Sequence, residues 1–126
     1  LKLIETIPLQ NGLTAELYDY SRLITGNRWL LGLLCKIEIP VSDEVFFLKD
    51  EWQGLKDPFT NKNGETVFFE FRKERIFIDH QNKENEFNEL LRQLKEHSLR
   101  YMGHKRFPSG FLKRQIEEFE KRRRYC

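Results

Sequence analysis

WLLGLLCKIEIPV, residues Trp29 to Val41, is the stretch on which the architecture turns. Its first half is apolar at every position but Gly32, and its second half alternates through Ile37, Glu38 and Ile39. A run that is apolar on both faces belongs inside a sheet, and a run that changes to alternation has reached a margin where one face meets water. The chain is therefore expected to be built around one long central strand, with Gly32 marking a bulge in it.

Upstream, Asn11-Gly12 separates the apolar-rich runs Leu3 to Leu9 and Leu13 to Tyr20. That dipeptide favours a type I′ hairpin turn, whose two central residues need positive φ. Two antiparallel strands should thus precede the central one, with Leu13, Ala15 and Leu17 on a buried face and Pro8 on a sheet edge.

Downstream, Val45, Leu48, Trp52 and Leu55 recur at intervals of 3, 4 and 3. With Ser42 as cap, Asp43 and Glu44 in the first turn and Val41 stapled onto Phe46, the spacing predicts a helix from Asp43 to Leu55. Asp57-Pro58 and Asn61-Lys62-Asn63-Gly64 read as a loop and turn. Glu65 to Arg72 and Arg75 to Asp79 read as a second hairpin, joined at Lys73-Glu74. From Asn82, Phe87, Leu90, Leu91, Leu94 and Tyr101 make a helical stripe that Gly103 ends. A last, basic helix at about residues 109–125 buries Leu112, Ile116 and Phe119. The order βββαββαα implies an α+β fold: a mainly antiparallel sheet of about five strands with helices packed on one face.

At 126 residues the chain fits one domain, and 39% hydrophobic content with 11 Phe is enough to fill a core without disulfide or metal staples. The longest apolar run is far short of the roughly 20 residues that cross a bilayer, so no membrane partner is expected. No basic and then apolar leader opens the chain, and no initiator Met precedes Leu1, the pattern of an excised piece. Cys35 and Cys126 lie too far apart in sequence to suggest a disulfide framework, which points to a reducing cytoplasm.

Net charge is +2, but from Gly103 onward eight Lys or Arg face three Glu, so the basic character belongs to the tail. Lys113, Arg114, Arg122, Arg123 and Arg124 would contact a nucleic acid or another anionic surface by counterion release. Seen as a simple helix end, the same cations complement the macrodipole.

The other polar concentration is DYSRLITGNRW, Asp19 to Trp29, which reads as the bend between the second and third strands. A two-residue loop at Thr25-Gly26 would set Arg22 opposite Trp29 as a cation-π pair, with Asp19, Ser21 and Arg28 on the other face. Arg22 and Arg28 could then clamp an anion, or simply hold the sheet end together.

Asp19-x-Ser21 followed by Gly26 resembles the D-x-S-x-x-G element of PilZ domains, which bind cyclic di-GMP on a small β-barrel. The glycine stands two residues later than in that element, and no arginine precedes Asp19. The resemblance spans residues 19–26 alone and carries no residue role with it.

His80, His97 and His104 fall on a strand end, a helix and a loop, without ligand spacing for a metal. Cys35 reads as a small hydrophobe in the central strand, and the seven glycines are scattered through turns, not gathered in a phosphate loop. No catalytic motif and no cofactor is expected. The residues thus point to a non-enzymatic protein-interaction or regulatory module, meeting a partner protein or a second copy of itself. The alternative is a nucleic-acid or nucleotide binder that uses the basic helix or the Arg22/Arg28 turn.

Overall fold

The structure is a computed structural model that describes residues 1–125; Cys126, expected above to be unpaired, lies outside the described residues. Strands β1 (Lys2–Pro8), β2 (Thr14–Asp19), β3 (Arg22–Thr25), β4 (Arg28–Pro40) and β5 (Thr66–Asp79) form one antiparallel sheet. Helices α1 (Lys56–Asn63), α2 (Lys83–Gln93), α3 (Leu99–Met102) and α4 (Phe107–Tyr125) complete the expected α+β fold. Contacts gather into two units, residues 1–37 with 70–104, and residues 38–69 with those from 105 onward.

In the first unit β4 is the central strand, and Leu31, Leu33, Leu34, Cys35 and Ile37 are all buried along it. One edge pairs with β2, from Ala15 opposite Ile37 to Asp19 opposite Leu33. The same register continues into β3, where Arg22 lies opposite Leu30 and Leu23 opposite Trp29. β2 and β3 therefore act as one bent strand, stitched at the bend by two hydrogen bonds. Tyr20 N–H donates to Gly32 O (3.0 Å), and Gly32 N–H donates to Ser21 Oγ (3.1 Å).

Gly32 carries no bulge in this pairing. It is glycine because the Tyr20 ring lies across it: a Cβ there would come within 2.3 Å of the ring. Tyr20 is held in place by its hydroxyl, which donates to Glu74 Oε2 (2.6 Å), and by the Arg72 guanidinium 5.2 Å from the ring centroid.

Ala15, Leu17, Leu31, Leu33, Cys35 and Ile37 point to the opposite face, which α2 and α3 cover. Cys35 Sγ lies 3.9 Å from Met102 Sδ, Lys95 pairs with Glu5 at 2.7 Å, and Arg75 pairs with Glu86. Each large apolar side chain buried there contributes about 1.5–3 kcal/mol. Residues 83–102 form one helical run with a π turn at Leu94–Ser98. Its buried positions are Leu90, Leu94, Leu99 and Met102. The step from Leu94 to Leu99 is one residue too long for an α-turn, and the π turn absorbs it so that Leu99 stays on the buried stripe. Tyr101, expected on that stripe, is exposed.

The first hairpin departs from the type I′ expectation. Gly12 N–H donates to Leu9 O, Leu9 N–H donates to Leu13 O, and only Gly12, at φ +88°, is left-handed. This is a type I turn followed by a G1 bulge. Asn11 is needed for its side chain: Nδ2 donates to Met102 O (2.8 Å) and His104 O (3.0 Å), clasping the hairpin to the end of α3.

The second unit corrects two expectations. Between Asp43 and Leu55 the chain forms two 3-10 turns, Asp43–Phe47 and Asp50–Trp52, in place of a helix, and Ser42 makes no side-chain cap. Val45, Phe46 and Trp52 are buried while Leu48 is exposed and Leu55 only half-buried, so the expected face of Val45, Leu48, Trp52 and Leu55 is not the one that packs. The α-helix falls instead on the expected loop. Pro58 sits in the first turn of α1, where its missing N–H costs nothing. Phe59 drives the helix inward, edge-on to Phe46 at 5.8 Å and Phe119 at 5.4 Å. On α4 Leu112, Ile116 and Phe119 are buried as expected, and Phe107 and Phe111 meet Phe69 at 5.0 and 5.4 Å.

β5 replaces the expected hairpin of 65–72 and 75–79 with one 14-residue strand. Lys73-Glu74 supplies no residue suited to positive φ, and the alternation of Val67, Phe69, Phe71, Lys73 and Arg75 runs straight through it. The fifth strand of the sheet comes from β3 instead. Phe77, at φ +59°, is the one described non-glycine residue with positive φ.

Substituting Gly32→Ala should lower stability by about 1–3 kcal/mol through the clash with Tyr20. In urea denaturation the Gly32→Ala/Tyr20→Ala pair should lose less than the sum of the single changes. Strict additivity would show that the ring does not set the requirement for glycine.

Candidate functional site

The register of β3 decides where the polar residues of the bend go. The loop is Gly26-Asn27, not Thr25-Gly26, with Gly26 at φ +52° as a type II′ turn requires at its first central position. The new loop alone would bring Ile24 opposite Trp29, and an irregularity between Leu23 and Thr25 takes one residue back, so that Leu23, not Arg22, stands there. That pairing reverses the expected faces, because side chains alternate with period two. Trp29 now shares the helix-covered face with Asp19, Ser21 and Leu31, while alternation along β4 puts Arg28 on the other face with Leu30 and Arg22.

Against that face stands the first turn and a half of α2. Lys83, Glu84, Phe87 and Asn88 lie at spacings of one and four on one helical side, and together with Asp19, Ser21, Trp29 and Leu31 they enclose a cleft of about 370 Å³. Leu31 is its buried floor. The Lys83 ammonium lies over the Trp29 ring, 4.0 Å from its centroid. Trp29 is fixed from its other end, since its Nε1–H donates to His80 Nδ1 (3.1 Å), and the two rings lie 5.9 Å apart. His80 is in turn anchored by the bond from its N–H to Asn27 O (2.8 Å).

The polar groups are partly engaged. Asp19 Oδ1 accepts from Ser21 N–H (2.8 Å), a local turn that leaves its second oxygen without a hydrogen-bond partner among the described residues. Ser21 Oγ accepts from Gly32 N–H, so its remaining proton is free to donate. Asp19, Glu84 and Lys83 are the charged residues of the cleft lining. A second, more open groove of about 580 Å³ runs between β1 and the helical run, but it is bridged by the Glu5–Lys95 pair, and Pro8 withholds an N–H from the outer edge of β1.

The structure distributes the remaining candidates as follows. Arg22 is exposed on β3 and pairs with no carboxylate among the described residues, and Arg28 pairs with Asp79 at 3.7 Å. Lys113, Arg114, Arg122, Arg123 and Arg124 are exposed on α4. Arg124 bonds Glu120 (2.6 Å), and Arg123 rests 5.8 Å from the Phe119 ring centroid. Lys113 and Arg114 each stand one turn before a glutamate, Glu117 and Glu118, so the outward columns of α4 alternate in sign. Lys83 and Phe87 went unnoticed as site residues in the sequence. Their signal was the i, i+4 pairing of a cation and an aromatic at a helix start, which is ordinary without its partner strand.

Among the described residues no group of three His, Cys, Asp or Glu side chains lies close enough to hold a metal, and no helix is long and apolar enough to cross a membrane. No hydrogen bond joins Ser21 to a histidine, and His80 Nδ1 is already occupied by the indole. No family model matches the chain, and no curated protein or solved structure shows significant similarity to it.

Cys35 is fully buried in β4, and that burial pushes its thiol pKa up to about 11. Below that value the group is a neutral thiol, a poor nucleophile. Iodoacetamide at pH 8 should therefore leave the Cys35 peptide unlabelled in the native protein and label it fully in denaturant, as read by mass spectrometry. Native labelling at the denatured rate would show Cys35 to be accessible.

Proposed function

We propose that the chain is a non-enzymatic interaction module of a regulatory kind, and that it receives a partner protein at the Trp29 cleft. The observation that carries this reading is the exposed apolar surface beside Trp29. Leu23, directly across from Trp29, is 52% exposed, and Phe77, near the end of the neighbouring strand, is 59% exposed. A small molecule held in the cleft would not need such a margin. A protein surface would cover it, and clustered exposed apolar side chains mark surfaces of that kind.

Phe77 adds a second support. A bulky residue at positive φ is strained, and such strain is concentrated at working surfaces. The cleft itself lacks a nucleophile paired with a base, which favours recognition over chemistry. The nucleic-acid alternative would use the cations of α4, where the interleaved Glu117 and Glu118 divide the basic field.

Peptides selected on the intact chain from a random display library test this reading. Their binding should weaken at least about tenfold on Leu23→Ser or Trp29→Ala, the range of a buried aromatic anchor. It should persist when Arg122, Arg123 and Arg124 are all changed to Gln. Peptides that bind the cleft variants unchanged would overturn it, as would salt-sensitive retention on nucleic acid that the arginine changes abolish.

A further inference from the structure

We infer that the group received in the Trp29 cleft is an organic cation, the lysine or arginine side chain of a partner protein, and that Lys83 occupies its place in the free molecule. The inference rests on the reading of this cleft as the receiving surface. It starts from the ammonium already there: Lys83 Nζ stands 4.0 Å from the Trp29 ring centroid, well inside the roughly 6 Å over which an aromatic face attracts a cation.

The surroundings favour the same sign. Asp19 and Glu84 both line the cleft, and Lys83 is the single cationic residue of its lining. The second Asp19 oxygen has no hydrogen-bond partner among the described residues, so a charged donor entering beside Trp29 finds an acceptor waiting. Phe87 and the buried Leu31 supply an apolar wall and floor for a methylene stem, which long cationic side chains bury while their heads stay polar. A phosphate or carboxylate would instead meet two like charges.

Size and position agree. The cleft measures about 370 Å³ with Lys83 in place, so it holds more than the resident side chain. Lys83 is also the first residue of α2, the end at which the helix dipole disfavours a cation. Its hold on Trp29 is therefore one that an incoming cation can replace, with Lys83 swinging out toward water. Lys83 then acts as an internal competitor that lowers affinity for the partner's side chain.

NMR titration of the intact chain, read at the Trp29 indole N–H and the Ser21 amide, tests this. The probes are N-acetyl-arginine amide, N-acetyl-lysine amide, tetramethylammonium, the neutral N-acetyl-norleucine amide, inorganic phosphate, and an eight-residue peptide with one central arginine. The cations should shift both signals and saturate, and norleucine should bind about tenfold more weakly. Lys83→Ala should tighten cation binding several-fold, and Asp19→Asn, which keeps the acceptor for Ser21 N–H, should weaken it several-fold. Binding of the peptide well above free arginine amide places the source in a partner protein; equal binding would overturn the protein source and assign the cleft to a free cation.

Norleucine binding as tightly as lysine, or Lys83→Ala without effect, would overturn the cationic assignment and leave the cleft as a receiving surface. Phosphate binding where cations fail would reverse the sign of the ligand. Silence of every probe on both the wild-type chain and Lys83→Ala overturns the cation, while loss of selected peptides on Trp29→Ala would still uphold the cleft.

Discussion

The hydrogen-bonded stitch between Tyr20-Ser21 and Gly32 is the constraint on which the first unit depends. The chain leaves regular strand geometry between Asp19 and Arg22, and without a bond across that break β2 and β3 would be free to choose separate registers on β4. Gly32 accepts from Tyr20 N–H and donates to the Ser21 hydroxyl, so register is carried over the bend unchanged. The Tyr20 ring lies on the same glycine, and its hydroxyl ties it to Glu74 on β5. One small residue thus links three consecutive strands of the sheet.

Everything at the cleft follows from that register. Side chains alternate with period two, so the face on which Trp29 emerges is set by which residue stands opposite it. Leu23 stands there, and Trp29 joins Asp19 and Ser21 under the first turns of α2. Were Arg22 opposite, the indole would face away from Lys83 and the carboxylates would face none of the aromatic surface. The Trp29–His80 bond then fixes the ring plane, and the ring plane is what a cation reads.

The central strand, its partners and the two apolar stripes of α2 and α4 were legible in the sequence because burial imposes a strong period on them. Leu31, Leu33, Cys35 and Ile37 alternate over a continuous apolar run, and Leu112, Ile116 and Phe119 keep to one helical side. Residues 43–63 were misread because several aromatic residues there are claimed by contacts distant in sequence. Phe59 turns a loop-like sequence into α1 by packing on Phe46 and Phe119, and intrinsic preference yields to that packing. The π turn was invisible for a related reason: only the demand that Leu99 stay buried reveals it.

By itself the sequence determined the α+β class, the long central strand, the place of the hairpins before it and the weight of positive charge near the end of the chain. These depend on local pattern and composition, which survive without knowledge of partners. The tertiary structure alone decided that β5 is one strand, that the loop is Gly26-Asn27, and that Trp29, Lys83, Asp19 and Glu84 share a cleft. Those outcomes turn on a register shift of one residue and on a helix more than fifty residues away from the bend, and neither leaves a mark in a window of sequence short enough to read by period.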